Sequence, residues 1–404
     1  MMEKTKKKVM LIANYWHFEE EKASSRYRSM ANVICEKYNL EVVTSSFRHL
    51  TKKQRDTSAF HLEELPYKVT LLFEPDYYKN ISLRRIFSHR KFAQNIKKYL
   101  EQSEKPDCII VSVPSLSVGD IVTKYAKKHK IPVIVDIQDL WPEAFKMAIP
   151  LPVISDILFA PMMHQANRIY KRASKIIAVS ETYVNRGLKN CPNQDGTSIY
   201  IGTDSVLAEK AVEGIEIQKS ENEFWVGYIG ALGHSYDINT VSKAIKILKD
   251  KGVENIVFKV MGDGPLKNDF ETYANELNIK CDFMGFIDYG TMMATLSKCD
   301  VAVNPIVGKS VSSIINKVSD YAMTGSAVIN TQNSPEYREL IDAYHAGINV
   351  ENGKADAVAD AILQLYQDRA LLAQIQTNSR RLGKEKFDRS KTYLKIIDII
   401  NAQG

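Results

Sequence analysis

Long apolar runs, paired cysteines and the common dinucleotide-binding pattern GxGxxG are all missing from this 404-residue chain. No stretch approaches the ~20 consecutive apolar residues that a membrane-spanning helix needs. The five cysteines are dispersed without a CxxC pair, which argues against a disulfide framework or a zinc site and favours reduced thiols. The apolar run Val9–Ala13 is too short for the core of a signal peptide. These absences predict a cytosolic protein, or one held on a membrane surface.

Charge is distributed unevenly along the chain. Residues 1–200 contain 32 Lys and Arg against 21 Asp and Glu, whereas residues 201–404 contain 22 against 27, so +11 and −5 give the net +6. A basic first half favours a polyanionic or membrane-surface partner on that side. Nucleic acid is the weaker interpretation, because no recognition motif accompanies the charge.

Strand-like and helix-like segments alternate through both halves, which predicts an α/β fold. A chain of this length is too long for one core and indicates two domains. Ser25 and Arg26 stand where a glycine-rich loop would follow the first strand, so a dinucleotide cofactor is not expected. The polar stretch Lys189–Thr197 has the composition of a linker. We therefore place domains at 1–197 and 198–384, with a C-terminal helix in 385–404 that packs back on the first domain.

The stretch from Asp300 to Asn330 is the most informative part of the chain. A short apolar strand ending at Pro305 leads into a serine-rich loop, and helical spacing begins near Ile314. Gly325 has the position of a left-handed cap at the helix end. Such a unit places a helix N-terminus at the carboxyl end of a parallel sheet, where free amides favour a phosphate.

Because a helix has about 3.6 residues per turn, four polar residues should form a stripe on one face of this helix. They are Ser313, Asn316, Lys317 and Asp320. A cation near a helix start and a carboxylate one turn later suit a diphosphate and the paired hydroxyls of a ribose. An ordinary solvated helix face would have the same pattern, so the stripe alone leaves both interpretations open.

Three segments of the first half are candidates for acceptor or membrane contact. The strand Pro132–Ile137 runs into Asp139 and Trp141, and a carboxylate at the carboxyl end of a parallel strand has the usual place of a site residue or of a loop cap. Residues Arg84–Leu100 have the pattern of a basic amphipathic helix, which could lie on an anionic leaflet or pack on the sheet. Residues Ala148–Met163 are apolar but interrupted by prolines, which predicts a hydrophobic surface element or lid.

Three features occur in a recognisable order: Gly230-x-x-Gly233, then Gly262-Asp-Gly264-Pro265, then the helix from Asp320 to Gly325. In this order and spacing they resemble the donor half of a family 4 glycosyltransferase with the GT-B fold. The motif Asp139-Leu-Trp-Pro142 is similar to the branch that builds capsule and O-antigen polysaccharides, including N-acetyl-fucosamine transferases. The resemblance extends from Val9 to about Leu365.

The resemblance implies two Rossmann-like domains that face a cleft, the first binding the acceptor and the second the nucleotide sugar. It implies a retaining transferase without cofactor that moves a UDP- or GDP-linked sugar to a lipid-linked glycan of a bacterial surface polysaccharide. No DxD motif occurs in the chain, so no metal site is predicted. We expect a cytoplasmic protein held peripherally on the inner face of the cell membrane, with no nucleic-acid partner.

Site residues follow from the same resemblance. Those assigned to the donor are Gly230, Gly233, His234, Gly262, Gly264, Ser312, Ser313, Asn316, Lys317 and Asp320. Asp139 is the candidate catalytic residue, in contact with the reacting sugar or the acceptor hydroxyl. The residues assigned to the acceptor side are Ser25, Arg26 and Trp141.

The sequence departs from the family pattern at the helix that carries two glutamates in most members. The second glutamate is replaced by Asp320, which can accept the same hydrogen bonds, and the first by Ser312, which cannot match them. The family's usual arginine after the Gly230 strand is Ala231, so diphosphate neutralisation falls on Lys317, with Lys309 and backbone amides.

Two other functions stay open at this point. A hydrolysing nucleotide-sugar epimerase also has two Rossmann-like domains, although it usually offers more carboxylates and histidines around its site. A non-catalytic member that binds nucleotide sugars as a scaffold is compatible with Ser312 and Ala231.

Overall fold

The structure is a computed structural model that describes residues 6–21, 25–146, 152–191, 194–307 and 314–403. It divides the chain into two units. Unit 1 comprises Met1–Ile199 together with Tyr393–Gly404, and unit 2 comprises Tyr200–Thr392. The sequence analysis divided the chain at 197–198 and separated residues 385–404, whereas the structure assigns residues 385–392 to unit 2.

Unit 1 is built on a parallel sheet of seven strands in the order β5-β2-β1-β6-β7-β8-β9, with a separate two-stranded hairpin of β3 and β4. The strands are β1 Lys8–Ala13, β2 Asn39–Ser45, β3 Phe47–Arg48, β4 Lys53–Gln54, β5 Lys68–Leu72, β6 Cys108–Val113, β7 Val133–Ile137, β8 Lys175–Ala178 and β9 Gly196–Ser198. The central strands are continuous apolar runs because helices cover both faces of a parallel sheet.

The helices of unit 1 connect these strands. They are α1 Arg26–Lys37, α2 Leu83–Gln102, α3 Leu116–His129, α4 Glu143–Lys146, α5 Pro152–Arg172 and α6 Glu181–Leu188, with 3-10 turns at Glu19–Glu21, Thr57–Ala59 and Leu62–Glu64. Several begin at a serine whose hydroxyl accepts a first-turn amide, as Ser82 does for Arg85 and Ser115 for Val118. This is the preferred N-cap chemistry, and it fixes where each helix starts.

Unit 2 contains a six-stranded parallel sheet in the order β12-β11-β10-β13-β14-β15. The strands are β10 Phe224–Ile229, β11 Ile256–Met261, β12 Cys281–Gly285, β13 Val301–Asn304, β14 Ala327–Asn330 and β15 Gly347–Asn349. Numbered from β10, the order is 3-2-1-4-5-6, the arrangement of a Rossmann sheet. The predicted α/β fold with two Rossmann-like halves is therefore confirmed.

The helices of unit 2 cover both faces of its sheet. They are α7 Ser205–Val212, α8 Ile238–Asp250, α9 Lys267–Glu276, α10 Tyr289–Lys298, α11 Lys317–Thr324, α12 Pro335–Tyr344, α13 Ala355–Gln367, α14 Arg369–Leu382 and α15 Arg389–Thr392, with a π-helix at Gly383–Phe387. Strand β10 contributes side chains to the apolar clusters on both faces of the sheet, because successive side chains of a strand point to opposite faces. Phe224, Val226 and Tyr228 pack with α8 and α13, whereas Trp225 and Ile229 pack with α10 and α11.

The chain returns to unit 1 through α16, Lys395–Asn401. Tyr393, Ile396 and Ile400 are buried in the same apolar cluster as β1 and α1. Tyr38 on the other side of this contact donates a hydrogen bond from its hydroxyl to Asn401 Oδ1 at 2.6 Å. The end of the chain is thus part of the core of unit 1.

One sequence prediction needs correction here, because the supposed linker Lys189–Thr197 contains the start of β9, which pairs with β8 as the edge strand of the sheet.

The apolar segment Ala148–Met163 was predicted as a hydrophobic surface element or lid. From Pro152 onward it is part of α5, with Pro161 inside the helix, and its exposed Val153 and Ile157 agree with a surface element. Residues 148–151 lie outside the described part. No helix formed by the described residues is long and apolar enough to cross a membrane.

Candidate functional site

The loops that follow β10 and β11 lie against each other at the carboxyl edge of unit 2. A Cβ at Gly262 would lie 1.8 Å from the carbonyl oxygen of Gly230, and one at Gly264 would lie 2.3 Å from that of Leu232. The Leu232 amide donates to the carbonyl oxygen of Asp263 at 2.9 Å. The two glycines of the Gly-Asp-Gly-Pro motif therefore allow a backbone contact that fixes the shape of the loop after β10.

The strand order of unit 2 reverses between β10 and β13, where an α/β sheet usually binds its ligand. The loop 230–237 crosses this point. Its Asp237 amide donates to the Pro305 carbonyl at 2.9 Å, and Val307 donates to the Ser235 carbonyl at 3.0 Å. Backbone hydrogen bonds thus hold the segments after β10 and β13 together at the switch point.

Helix α11 begins at this edge with Lys317, and Asn316 is its N-cap. Helical spacing in the sequence predicted a start near Ile314, whereas the helix begins three residues later, and Lys317 is therefore in its first turn. No side chain among the described residues caps α11. Two amides of its first turn donate to the turn before it, Val318 to the Ile315 carbonyl at 3.2 Å and Ser319 to the Asn316 carbonyl at 3.1 Å. The helix start therefore favours an anion through its dipole and through Lys317.

Lys317 is buried, with 9% of its surface exposed, so of the two interpretations left open by the sequence the solvated helix face does not apply to this residue. Its Nζ donates to the Tyr228 hydroxyl at 3.0 Å and lies 4.2 Å and 3.8 Å from the ring centroids of Tyr228 and Tyr236. A Cβ at Gly230 would lie 2.7 Å from this nitrogen, and the φ of +120° also favours glycine there. Glycine is therefore favoured at position 230 by its backbone conformation, and a side chain there would also push the end of Lys317 aside.

No carboxylate forms an ion pair with Lys317 in the described part of the chain, and residues 308–313 contain no Asp or Glu. Burial lowers the pKa of Lys317 well below its ordinary 10.5. Two rings over a desolvated cation contribute about 2 kcal/mol in favour of the charge. Taking an ammonium out of water costs several kcal/mol, so burial outweighs the rings. A bound anion would supply the counter-charge that this position lacks.

Asp320 lies one turn further along α11 and is half-buried. Its Oδ1 accepts hydrogen bonds from Thr203 Oγ1 at 2.7 Å and from the Tyr289 hydroxyl at 3.2 Å. No donor to its Oδ2 is found among the described residues. Burial raises the pKa of Asp320, while the two hydroxyl donors oppose this shift. The second oxygen can therefore accept hydrogen bonds from a ligand diol.

The other predicted donor residues are less closely joined to this cluster. His234 is exposed in the loop after β10. Gly233 has open space around its Cβ position, so neither a close contact nor a positive φ explains that glycine. Ser312 and Ser313 lie outside the described residues. Asn316 shares the α11 start with Lys317.

Sequence reasoning missed a buried amide network at the carboxyl ends of β13 and β14. Asn304 Nδ2 donates to Asn330 Oδ1 at 2.9 Å and to Gln332 Oε1 at 3.2 Å, and Asn330 Nδ2 donates to Asn349 Oδ1 at 2.9 Å. The Oδ1 of Asn304 is buried and has no donor among the described residues. Single asparagines at strand ends form no sequence motif, and only the sheet order makes them neighbours.

In unit 1, Asp139 and Trp141 lie just beyond the carboxyl end of β7. The carboxylate of Asp139 accepts the Leu140 amide at 2.9 Å and the indole Nε1–H of Trp141 at 3.2 Å. Burial raises the pKa of Asp139. These contacts stabilise the turn itself, and a part for Asp139 in a reaction stays a prediction.

Trp141 is covered by its neighbours. The guanidinium of Arg85 lies 4.7 Å over the indole ring, and His89 stacks on it with ring centroids 5.8 Å apart. Arg85 also donates to the Tyr15 hydroxyl at 2.8 Å, which joins the start of α2 to the loop after β1. Trp141 is therefore a buried part of the wall at this edge of the sheet.

Two further titratable side chains of unit 1 were missed by sequence reasoning. Burial raises the pKa of Glu74 to about 7 and lowers the pKa of His89 to about 3, so both are neutral near their 3.9 Å contact at mildly acidic pH. Ser88 donates from Oγ to Glu74 Oε1 at 3.1 Å. No motif connects these residues in the sequence, because they meet only where α2 packs beside the segment after β5.

Ser25 and Arg26 are used inside unit 1. Ser25 Oγ accepts the Arg28 amide at 3.3 Å as the N-cap of α1. The buried guanidinium of Arg26 pairs with both oxygens of Asp136, at 3.2 and 3.1 Å, and donates to the Ile199 carbonyl at 2.7 Å. These contacts give both residues a structural role, and an acceptor-side role for either stays a prediction.

The two-sheet architecture is that of the GT-B glycosyltransferases. HepE from Anabaena in complex with UDP has a TM-score of 0.68 at 14% identity, covering 98% of this chain and 100% of that one. Sucrose-phosphate synthase from Thermosynechococcus elongatus has a TM-score of 0.69 at 15% identity, covering 98% of both chains. WaaG, a glycosyltransferase involved in lipopolysaccharide biosynthesis, has a TM-score of 0.62 at 13% identity, covering 97% of this chain and 99% of that one. At such identities the likeness establishes the fold alone.

Residues 213–382 match the family Glycosyl transferases group 1. No curated protein sequence matches the chain. This range lies within unit 2 and contains Gly230, Lys317 and Asp320. The family match and the fold together support glycosyl transfer from a nucleotide sugar, whereas the capsule and O-antigen branch stays a prediction.

Proposed function

We propose that this protein is a retaining glycosyltransferase that moves a sugar from a nucleotide sugar to a lipid-linked glycan in bacterial surface polysaccharide biosynthesis. The observation that carries the proposal is Lys317, a buried amine at the start of α11 with no carboxylate partner among the described residues. Glycosyl transfer releases a nucleoside diphosphate, and a helix N-terminus with an ammonium stabilises the charge of that leaving group. The proposed reaction needs neither a metal nor a cofactor.

The donor is proposed to lie along the carboxyl edge of unit 2. Its diphosphate occupies the space between Lys317 at the start of α11 and the loop 230–237, while its ribose hydroxyls donate to the second carboxylate oxygen of Asp320. We propose a UDP-linked sugar ahead of a GDP-linked one, because HepE was solved with UDP, with UDP and glucose, and with UDP-glucose.

For the acceptor we propose the carboxyl edge of the unit 1 sheet. Asp139 lies there beside Arg85 and Tyr15, so a carboxylate, a cation and a phenol are available to sugar hydroxyls. Asp139 is proposed to contact the acceptor hydroxyl or the reacting sugar.

Exposed apolar side chains support a lipid-linked acceptor. They occur at the starts of α2 and α5, and their exposed fractions are 73% for Ile81, 85% for Leu83, 61% for Phe87, 72% for Val153 and 73% for Ile157. Helix α3 packs between α2 and α5 on one face of the sheet. Both helices begin at the carboxyl edge, as right-handed crossovers require. With the basic residues Arg84, Arg90 and Lys91 nearby in sequence, this surface suits an anionic leaflet.

The donor proposal is tested by calorimetric titration of UDP into Asp320→Ala and Lys317→Met. Loss of a charge-assisted hydrogen bond costs roughly 1.5–3 kcal/mol, so affinity should fall about 10- to 150-fold in each variant. Asp269→Ala is the matched control, because Asp269 is an exposed carboxylate in the first turn of α9. Unchanged UDP affinity in both site variants would remove the proposal.

Turnover distinguishes the functions that the fold leaves open. The protein should release UDP from a UDP-sugar only when a glycan acceptor is present, and should do so in excess chelator. Conversion of the sugar without any acceptor would instead identify an epimerase. Binding without product over a broad acceptor panel would identify a non-catalytic member.

The membrane part is tested with anionic vesicles. Wild-type protein should co-sediment at low salt and be released at high salt, because screening weakens charge attraction. Leu83→Ser/Phe87→Ser should bind less, whereas Val206→Ser, an exposed apolar position of unit 2, should bind as the wild type. Equal sedimentation of all three proteins would contradict the proposed surface.

A further inference from the structure

Among the described residues, none with a negative charge is hydrogen-bonded to the amine of Lys317. Its Nζ donates to the Tyr228 hydroxyl, and that hydroxyl donates its own proton to the Ala231 carbonyl at 2.6 Å. Tyr228 therefore offers the lysine a neutral acceptor only. The rings of Tyr228 and Tyr236 occupy the sides of the amine, so water cannot solvate it as it would an exposed ammonium.

The ionisable groups on the elements around the α11 start do not supply a charge either. On α11 itself, Asp320 is turned to Thr203 and Tyr289, and the Tyr321 hydroxyl donates to the Val303 carbonyl. From the loop after β10, Asp237 caps α8 by accepting the Thr240 amide, and His234 is exposed. Helices α10 and α14 and the π-helix pack on α11. Their charged groups are Lys298 of α10, Arg369, Arg380 and Arg381 of α14, and Lys384, Glu385 and Lys386 of the π-helix, and Arg389 of α15 lies close enough to act on Asp320. Glu385 accepts a hydrogen bond from the Tyr344 hydroxyl of α12.

We propose that Lys317 takes up a proton when the diphosphate of the donor binds beside it, so that donor binding consumes one proton. The inference rests on the proposed function, since it requires a diphosphate at this place. A neutral amine tolerates the apolar position, and the arriving anion stabilises the ammonium. The depressed pKa of Lys317 in the free protein agrees with this order of events. When the nucleoside diphosphate leaves, the proton leaves with it.

Proton linkage has a measurable consequence for affinity. Between the pKa of Lys317 in the free protein and its higher pKa in the complex, UDP affinity should fall about tenfold for each unit of rising pH. The ligand does not contribute to this slope near pH 8, because the terminal phosphate, with a second pKa near 6, is already ionised.

The experiment is calorimetric titration of UDP at several pH values from about 7 to about 9, each in two buffers of different ionisation enthalpy. The difference in heat between the buffers gives the protons taken up per UDP. The wild type should approach one proton within this range. Lys317→Arg should bind UDP without uptake because a guanidinium is already charged, and Lys317→Met should bind weakly, also without uptake.

His234→Gln is the second control, because His234 is the exposed imidazole of the same loop, and uptake should persist in this variant. UDP binding with no uptake by the wild type overturns the inference but leaves the proposed function standing. Absence of UDP binding overturns both. Uptake that persists in Lys317→Met, or disappears in His234→Gln, assigns the proton to another group and also overturns the inference. Should Lys317→Arg fail to fold, the methionine variant and the wild-type slope decide the question.

Discussion

Replacing Arg26 by methionine tests whether this residue is structural, as its contacts indicate, or a ligand for the acceptor. The side chains of Arg26 and Asp136 are 4% and 0% exposed. Removing one partner of such a buried pair leaves an uncompensated charge and costs about 3–5 kcal/mol. For a unit of about 200 residues, each kcal/mol lowers the melting temperature by about 2–4 °C, so a decrease of about 6–20 °C is expected.

The assay is thermal melting combined with hydrogen exchange measured peptide by peptide, because a chain of two units has no single free energy of unfolding. Protection should fall in β1, α1 and β7, and the double variant Arg26→Met/Asp136→Leu should recover much of it. Lys37→Met, an exposed position in the last turn of α1, should cost less than about 1 kcal/mol. Unchanged protection in Arg26→Met would refute the structural interpretation.

Three further outcomes are expected. Gly262→Ala should abolish UDP binding, because the new Cβ would collide with the Gly230 carbonyl. Gly233→Ala should still bind UDP, because there is open space around that position. Equal UDP affinities of the two variants would contradict the proposed loop contact. Burial raises the pKa of Glu74 from 4.5 to about 7, so the stability that its protonated carboxyl contributes is present below pH 4.5 and is lost as the pH rises through about 7. Above pH 7, Glu74→Gln should therefore be more stable than the wild type by about 3 kcal/mol at most. Parallel melting profiles of the two proteins across this pH range would count against this prediction. Truncation of residues 393–404 should destabilise unit 1 by roughly 6 kcal/mol or more, since it removes Tyr393 and three isoleucines from the core. Hydrogen exchange measured in unit 2 shows whether the loss of stability is confined to unit 1.

Local patterns in the sequence were sufficient for much of the fold. Apolar runs of five or six residues separated by helical spacing identify most of the parallel strands, because a strand covered on both faces must be apolar throughout. The glycines at 262 and 264 were informative for the same local reason, since a motif of closely spaced glycines marks a backbone that must pass near another. The sequence pattern did not predict β9, because it is a short edge strand of Gly, Thr and Ser whose composition gives no sign of its pairing with β8.

Contacts between residues that are distant in the sequence could be identified only from the tertiary structure. In the sequence, Arg26 resembles any charged residue of a loop. Its ion pair with Asp136 joins residues that are 110 positions apart. Lys317 has the spacing of a solvated helix face, yet the folded sheet brings Tyr228 and Tyr236 over it and removes it from water. Sequence periodicity reports which face of an element is apolar, but the charge state of a side chain depends on its desolvation and its neighbours. Both are properties of the packed protein, and for that reason the chemistry of Lys317 could be located from the sequence but not described.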